Sequence, residues 1–127
     1  MPAQIIRRDQ RIRRFRDFQT LRKSRIARAH PLIALRAVPN ELPYDRFGFV
    51  VSKRVSKLAV VRNRVRRRMK EAVRRFPWGE GWDLLIIARA GADAAAFADL
   101  RDAIERLAVR LRLLPKQPAA AREGGDA

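Results

Sequence analysis

Between Arg62 and Arg75 the chain sets eight cations (Arg62, Arg64, Arg66, Arg67, Arg68, Lys70, Arg74 and Arg75) against a single acid, Glu71. Within and just beyond that run, Val65, Met69, Ala72, Val73 and Phe76 recur at i, i+4, i+7, i+8 and i+11, the spacing that gathers side chains on one face of an α-helix. The opposite face then carries Asn63, Arg64, Arg66, Arg67, Arg68, Lys70, Arg74 and Arg75. Such a helix can hold to a core by one side and meet a polyanion with the other. Its cations cannot neutralise one another, so it repels itself unless an anionic partner relieves it.

The rest of the composition points the same way. Thirty Lys and Arg against thirteen Asp and Glu give a net charge of +17, and arginine far outnumbers lysine. Arginine's planar fork of donors grips phosphate in pairs and stacks on bases, so nucleic acid is the expected partner. A membrane surface competes weakly, because the basic helix offers Val and Met rather than the Trp, Phe and Leu that bury among headgroups. No apolar run is long enough to span a bilayer, and the Met1 to Asp9 start lacks the apolar core of a signal peptide. Cytoplasmic residence is therefore the expectation. The absence of cysteine excludes disulfides, thiolate chemistry and Cys-ligated zinc.

A length of 127 residues predicts one domain over 11–114, flanked by a flexible basic arm at 1–10 and a disordered Pro-, Ala- and Gly-rich tail at 115–127. Ile12, Phe15, Phe18 and Leu21 recur at spacing three and predict a first, short helix. Strands are expected at Leu32 to Val38, stopped by Pro39-Asn40, and at Arg46 to Ser52; these two are expected to pair as neighbours across the loop between them. After the basic helix, Pro77, Gly79 and Gly81 force a loop. Asp83 to Arg89 is a continuous apolar run that predicts a central strand buried on both faces. Asp93 is the expected N-cap of a last helix carrying Phe97, Leu100, Ile104, Leu107, Leu111 and Leu114. The order predicts an α+β fold: a small single-domain sandwich in which a mixed sheet of about four strands is covered by helices.

Acid–base chemistry is sparse. His30 is the sole histidine and has no partner in sequence, while Asp99, Asp102 and Glu105 are interleaved with Arg101, Arg106 and Arg110 as an ion-paired solvated face. Ser52 and Ser56 lack a base, and no phosphate-cradling Gly-rich loop is present. The polypeptide alone is not expected to be a catalyst. Phe15 and Phe18 fit either a helix core or a stacking surface. Phe47 and Phe49 share one sheet face, with Gly48 between them admitting close approach by a ligand or a neighbour. Trp78 and Trp82 read as packing residues under the loop.

Val51-Ser52-Lys53-Arg54-Val55, followed by Val60-Val61-Arg62-Asn63-Arg64-Val65-Arg66-Arg67, resembles the bacterial ribonuclease P protein component. Arg14-Phe15-Arg16-Asp17-Phe18-Gln19, Arg46-Phe47-Gly48-Phe49 and Trp82 to Arg89 resemble the same family, so the likeness runs from about residue 11 to residue 113. The resemblance implies a left-handed βαβ crossover around the basic helix, against the usual handedness. It implies an accessory subunit of ribonuclease P, the endoribonuclease that removes the 5′ leader of precursor tRNA, in which the RNA partner is catalytic. Mg2+ would be held mainly by that RNA and none bound tightly by the protein. The implied partners are ribonuclease P RNA and precursor tRNA, with no membrane and no small-molecule substrate. Carried onto this sequence, contacts to the catalytic RNA fall on Lys53, Arg54, Arg62, Asn63, Arg64, Arg66, Arg67, Arg68 and Lys70. A leader-binding cleft falls on Phe15, Phe18, Phe49 and Arg36.

Three departures accompany the likeness. Arg66 replaces a usual Lys, Ser56-Lys57-Leu58 makes the loop one residue longer and without its usual Gly, and Arg36 stands where relatives often place an aromatic. The last implies a cleft relying more on charge than on stacking. Size and charge alone also fit a structural, ribosomal-type RNA-binding protein, which the joined Ser-Lys-Arg and Arg-Asn-Arg segments disfavour. A DNA-binding regulator would need a second short helix directly before the basic one. An independent nuclease would need the acid–base set that is missing.

Overall fold

The structure is a computed structural model and describes residues 10–114, so the expectations of an arm through residue 9 and a tail from 115 lie outside the described residues. The elements run α1 (Phe15–Arg22), β1 (Ala27–Ala29), β2 (Ile33–Pro39), β3 (Arg46–Val50), α2 (Ala59–Val73), β4 (Trp82–Ala88) and α3 (Phe97–Arg110). They form an α+β fold around one mixed sheet of order β1-β2-β4-β3.

β4 takes the centre because it is apolar on both sides: Leu84, Leu85 and Ile86 are all fully buried. It runs antiparallel to β2 and parallel to β3, pairing Leu85 with Arg36 on one side and Gly48 on the other. The expected pairing of β2 with β3 is therefore corrected, since β4 lies between them. A parallel β3–β4 neighbour needs a crossover rather than a hairpin, and α2 supplies it.

Strand alternation sorts the sheet into two faces. Ile33, Leu35, Ala37, Phe47, Leu84 and Ile86 meet Val65, Met69, Ala72 and Val73 of α2 and Leu100, Ile104 and Leu107 of α3 in the larger core. On the other face Leu85, Val38, Val50 and Ile87 meet Ile12, Phe18 and Leu21. Helices thus cover both sides, with α1 alone on the smaller one.

Two helix starts and one strand differ most from expectation. α1 begins at Phe15, and Ile12 instead donates its N–H to the Phe47 carbonyl at 2.9 Å, so that the chain before the helix borders the outer edge of β3. The N-cap of α3 is Ala96 rather than Asp93, which sits in the turn before it. β1 was not expected: Ala27-Arg28-Ala29 has no apolar alternation and is held by pairing with Ala34 to Arg36.

Polar bonds tie α1 to the lower end of the sheet. Arg46 donates Nε and Nη2 to the two carboxylate oxygens of Asp83 at 2.8 and 2.5 Å, and Asn40 donates to Asp83 Oδ1 at 2.8 Å. Asp17 on α1 lies 3.6 Å from the same guanidinium.

Candidate nucleic-acid interface

α2 presents three surfaces rather than two. Its apolar stripe, Val65, Met69, Ala72 and Val73, is buried as the spacing predicts. A second side turns to α3, where Arg68 donates to the Ala95 carbonyl at 3.1 Å and Arg75, just past the helix end, stacks over Phe97 at 5.1 Å. Glu71 takes Arg74 and Arg75 at 2.6 and 3.4 Å. Arg68, Arg74 and Arg75 are thus engaged within the protein, although sequence spacing placed them with the outward cations.

The third side faces outward. Arg64 and Arg67 are exposed and make no hydrogen bond or ion pair among the described residues, and Asn63 Oδ1 accepts from Arg66 Nη1 at 2.7 Å. Arg62 is half-buried and donates one nitrogen to the carbonyls of Ser56 and Lys57 at 3.0 and 2.9 Å. It therefore clamps the preceding loop against the helix start as well as adding charge. That loop carries Lys53 and Arg54, both exposed, between the buried anchors Val51 and Val55.

Beside this surface lies an open groove of about 300 Å³ between α1, the end of β3 and α2. Phe15, Phe18, Gln19 and Arg22 form one wall, Phe49, Val50 and Val51 the floor, and Arg66 the other wall. Phe15 projects openly, with 71 % of its surface accessible. Phe18 is seated by Gly48, where an added Cβ would stand 2.8 Å from its ring. Lys70 Nζ lies 5.9 Å from the centre of the Phe49 ring. Burial, then Arg11 and Arg66, pull the Lys70 ammonium below its ordinary pKa. A phosphate arriving there would relieve that crowding.

The structure brings Phe15, Phe18 and Phe49 together in one groove, and Arg66, expected among the contacts to the catalytic RNA, lines the same groove. Arg36 does not line it: its guanidinium donates to the Ser24 carbonyl at 2.9 Å. Gln19 and Arg22 were missed, although each stands four residues after Phe15 or Phe18, one turn along the same helix face. Trp78 packs edge-on against Phe47 at 5.3 Å and donates its indole N–H to the Val73 carbonyl at 2.7 Å.

Among the described residues no group of three His, Asp or Glu side chains converges. Asp45 and Asp83 are buried, but Asp83 accepts from Arg46 and Asn40, and Asp45 accepts the Trp82 N–H. No helix among the described residues is long and apolar enough to cross a membrane.

Comparison with known proteins gives one answer. The sequence pattern of the family described as Ribonuclease P matches residues 6–112. The chain is 36 % identical over 110 residues to the Ribonuclease P protein component of Herpetosiphon aurantiacus, covering 85 % of this chain and 89 % of the relative. It is 40 % identical over 108 residues to that of Roseiflexus castenholzii, covering 83 % and 88 %. Among solved structures, the RNase P protein from Thermotoga maritima superposes with a TM-score of 0.68 at 25 % identity, covering 79 % of this chain and 96 % of that one. The Staphylococcus aureus RNase P protein superposes at 0.73, covering 84 % and 98 %, and at 24 % identity shows the shared fold.

Proposed function

The chain belongs to the ribonuclease P protein family, and on that premise we propose that it binds two RNAs at once, the catalytic RNA of ribonuclease P and the single-stranded 5′ leader of precursor tRNA. The observation that carries this reading is Arg66, which leaves the basic surface of α2 to form one wall of the groove containing Phe15, Phe18 and Phe49. A leader in the groove meets rings for its bases and cations for its phosphates, the combination that holds single strands without regard to sequence. Arg64, Arg67, Lys53 and Arg54 remain outside the groove for a structured RNA.

The protein's contribution is electrostatic and selective. Two polyanions repel, and a net charge of +17 between them offsets part of that cost, which otherwise falls to Mg2+. Leader contacts favour precursor over mature tRNA, because the product lacks the segment that fills the groove. Mg2+ belongs to the RNA in this reading, and the chemistry of hydrolysis is assigned to no side chain.

The test is cleavage of a precursor tRNA by a bacterial ribonuclease P RNA at low millimolar Mg2+, with and without the protein. Restored cleavage at the mature 5′ end by protein that is inert alone is expected. Tight RNA binding with no restoration, across several such RNAs, would favour a structural RNA-binding role instead.

A further inference from the structure

Residues 10–40 carry nine cations against one acid, Asp17, and that acid already lies 3.6 Å from the Arg46 guanidinium. α1 places part of this charge on a side that the groove does not reach. Phe18 and Leu21 turn to the sheet, while Phe15, Gln19 and Arg22 flank the groove. At about 100° per residue, Arg16 and Lys23 then stand on the opposite side of the helix, about 10 Å apart along its axis. Both are exposed, as are Arg13, Arg14 and Arg25, and none of these five side chains makes a hydrogen bond or ion pair among the described residues. A face kept only for solubility would mix signs and repel itself less, as Asp102 and Glu105 do among Arg101, Arg106 and Arg110 on α3.

We propose that the outer side of α1 is a further RNA site, which holds the backbone of a double-helical RNA segment separate from the two RNAs of the proposed function. α1 and α2 pack on opposite faces of the sheet, so this side points away from the outward side of α2. Both rings of α1 line the groove, which leaves the outer side with cations and no stacking surface. Single strands are held by rings and cations together. A double helix keeps its bases inside and is met through phosphates and ribose hydroxyls, the contacts that Arg16 and Lys23 can make. An anionic membrane fits less well, because Thr20 rather than an apolar side chain stands between them to meet a headgroup layer. With this site filled, the protein joins a further RNA helix to the ribonucleoprotein.

The test assembles the protein on a bacterial ribonuclease P RNA, then titrates the complex with a labelled RNA duplex of about 20 base pairs across a salt series. The wild-type complex is expected to bind the duplex. The double variant Arg16→Gln, Lys23→Gln should weaken that binding about tenfold and lower the log–log salt slope by about 2, while its affinity for the ribonuclease P RNA holds. Both sites are exposed and glutamine is a good helix former, so the fold is retained. Arg106→Gln, Arg110→Gln removes the same charge from exposed positions of α3 and should leave duplex binding unchanged. An equal loss in the two double variants overturns the inference, since net charge alone then accounts for the binding. Absence of duplex binding by the wild-type complex overturns it as well, as does displacement of the duplex by saturating precursor tRNA, which assigns the face to the substrate. Wild-type protein that fails to bind the ribonuclease P RNA overturns the proposed function instead, and duplex binding by the free protein and its α1 variant then decides the inference.

Discussion

Gly48 and Phe18 touch so closely that a single added carbon would not fit: a Cβ on Gly48 would lie 2.8 Å from Phe18 Cε1, and 3.3 Å from Leu85 Cδ1. β3 is bare at this point because a ring of α1 lies on it, and that ring is also a wall of the groove. Gly48→Ala must push Phe18 outward. It is expected to cost about 1–2 kcal/mol of stability by overpacking, and to weaken binding of a single-stranded oligonucleotide. Affinity for ribonuclease P RNA should hold. Urea unfolding and the two binding titrations check this together.

Arg46 spans α1 and the sheet, pairing with Asp83 and standing 3.6 Å from Asp17. Arg46→Met leaves the buried Asp83 carboxylate with Asn40 as its remaining side-chain donor, a loss of about 3 kcal/mol. The double variant Arg46→Met, Asp83→Asn should recover part of it, because the uncompensated charge is gone. Equilibrium unfolding of the cycle measures the difference.

Asp45 is 1 % exposed, with Oδ2 unpartnered within the described residues, and burial pushes its carboxyl up to about 6 against the counter-effect of the Trp82 and Gly79 N–H groups. A folded-state pKa above the ordinary carboxylate value means that the fold binds this proton more tightly than the unfolded chain. Its stabilising contribution is complete below about pH 4 and is lost as pH rises toward 6, a change on the order of 3 kcal/mol. Asp45→Asn should remove that trend. The stability difference between wild type and variant, followed from pH 4 to 7, is expected to shift steadily in favour of the variant.

The cations of α2 should separate by where they point. Arg64→Ala is expected to weaken RNA binding and to lower the log–log salt slope by about 1, from an overall value of about −4 to −8. Arg68→Ala loses the bond to the Ala95 carbonyl and should reduce stability while leaving the slope unchanged. A slope near zero in the wild type would contradict the electrostatic account.

The sequence made some of this arrangement readable and hid the rest for identifiable reasons. Leu84 to Ile87 could be placed at the sheet centre because an apolar run without alternation has no solvent face to offer. The partners of that strand could not be read, because periodicity carries no information about which strands meet; β4, far along the chain, displaces β3 from β2. β1 has too few apolar residues to signal itself. For α2, five apolar positions divided the helix into two halves, but α3 borders one flank and draws Arg68 and Arg75 toward it. The groove aromatics were visible from their motif, whereas Arg66 as a shared wall depends on how α1 and α2 meet around β3.

The most direct test of a joint aromatic and cationic groove is the ratio of affinities for precursor and mature tRNA, measured with ribonuclease P RNA and either wild-type protein or the variant Phe15→Ala, Arg66→Gln. The account predicts that wild-type protein favours the leader-bearing precursor by about tenfold or more. The variant should lose most of that preference while still binding the RNA subunit. A preference that survives the double substitution intact, with both proteins fully assembled on the RNA, would contradict the groove as the leader site.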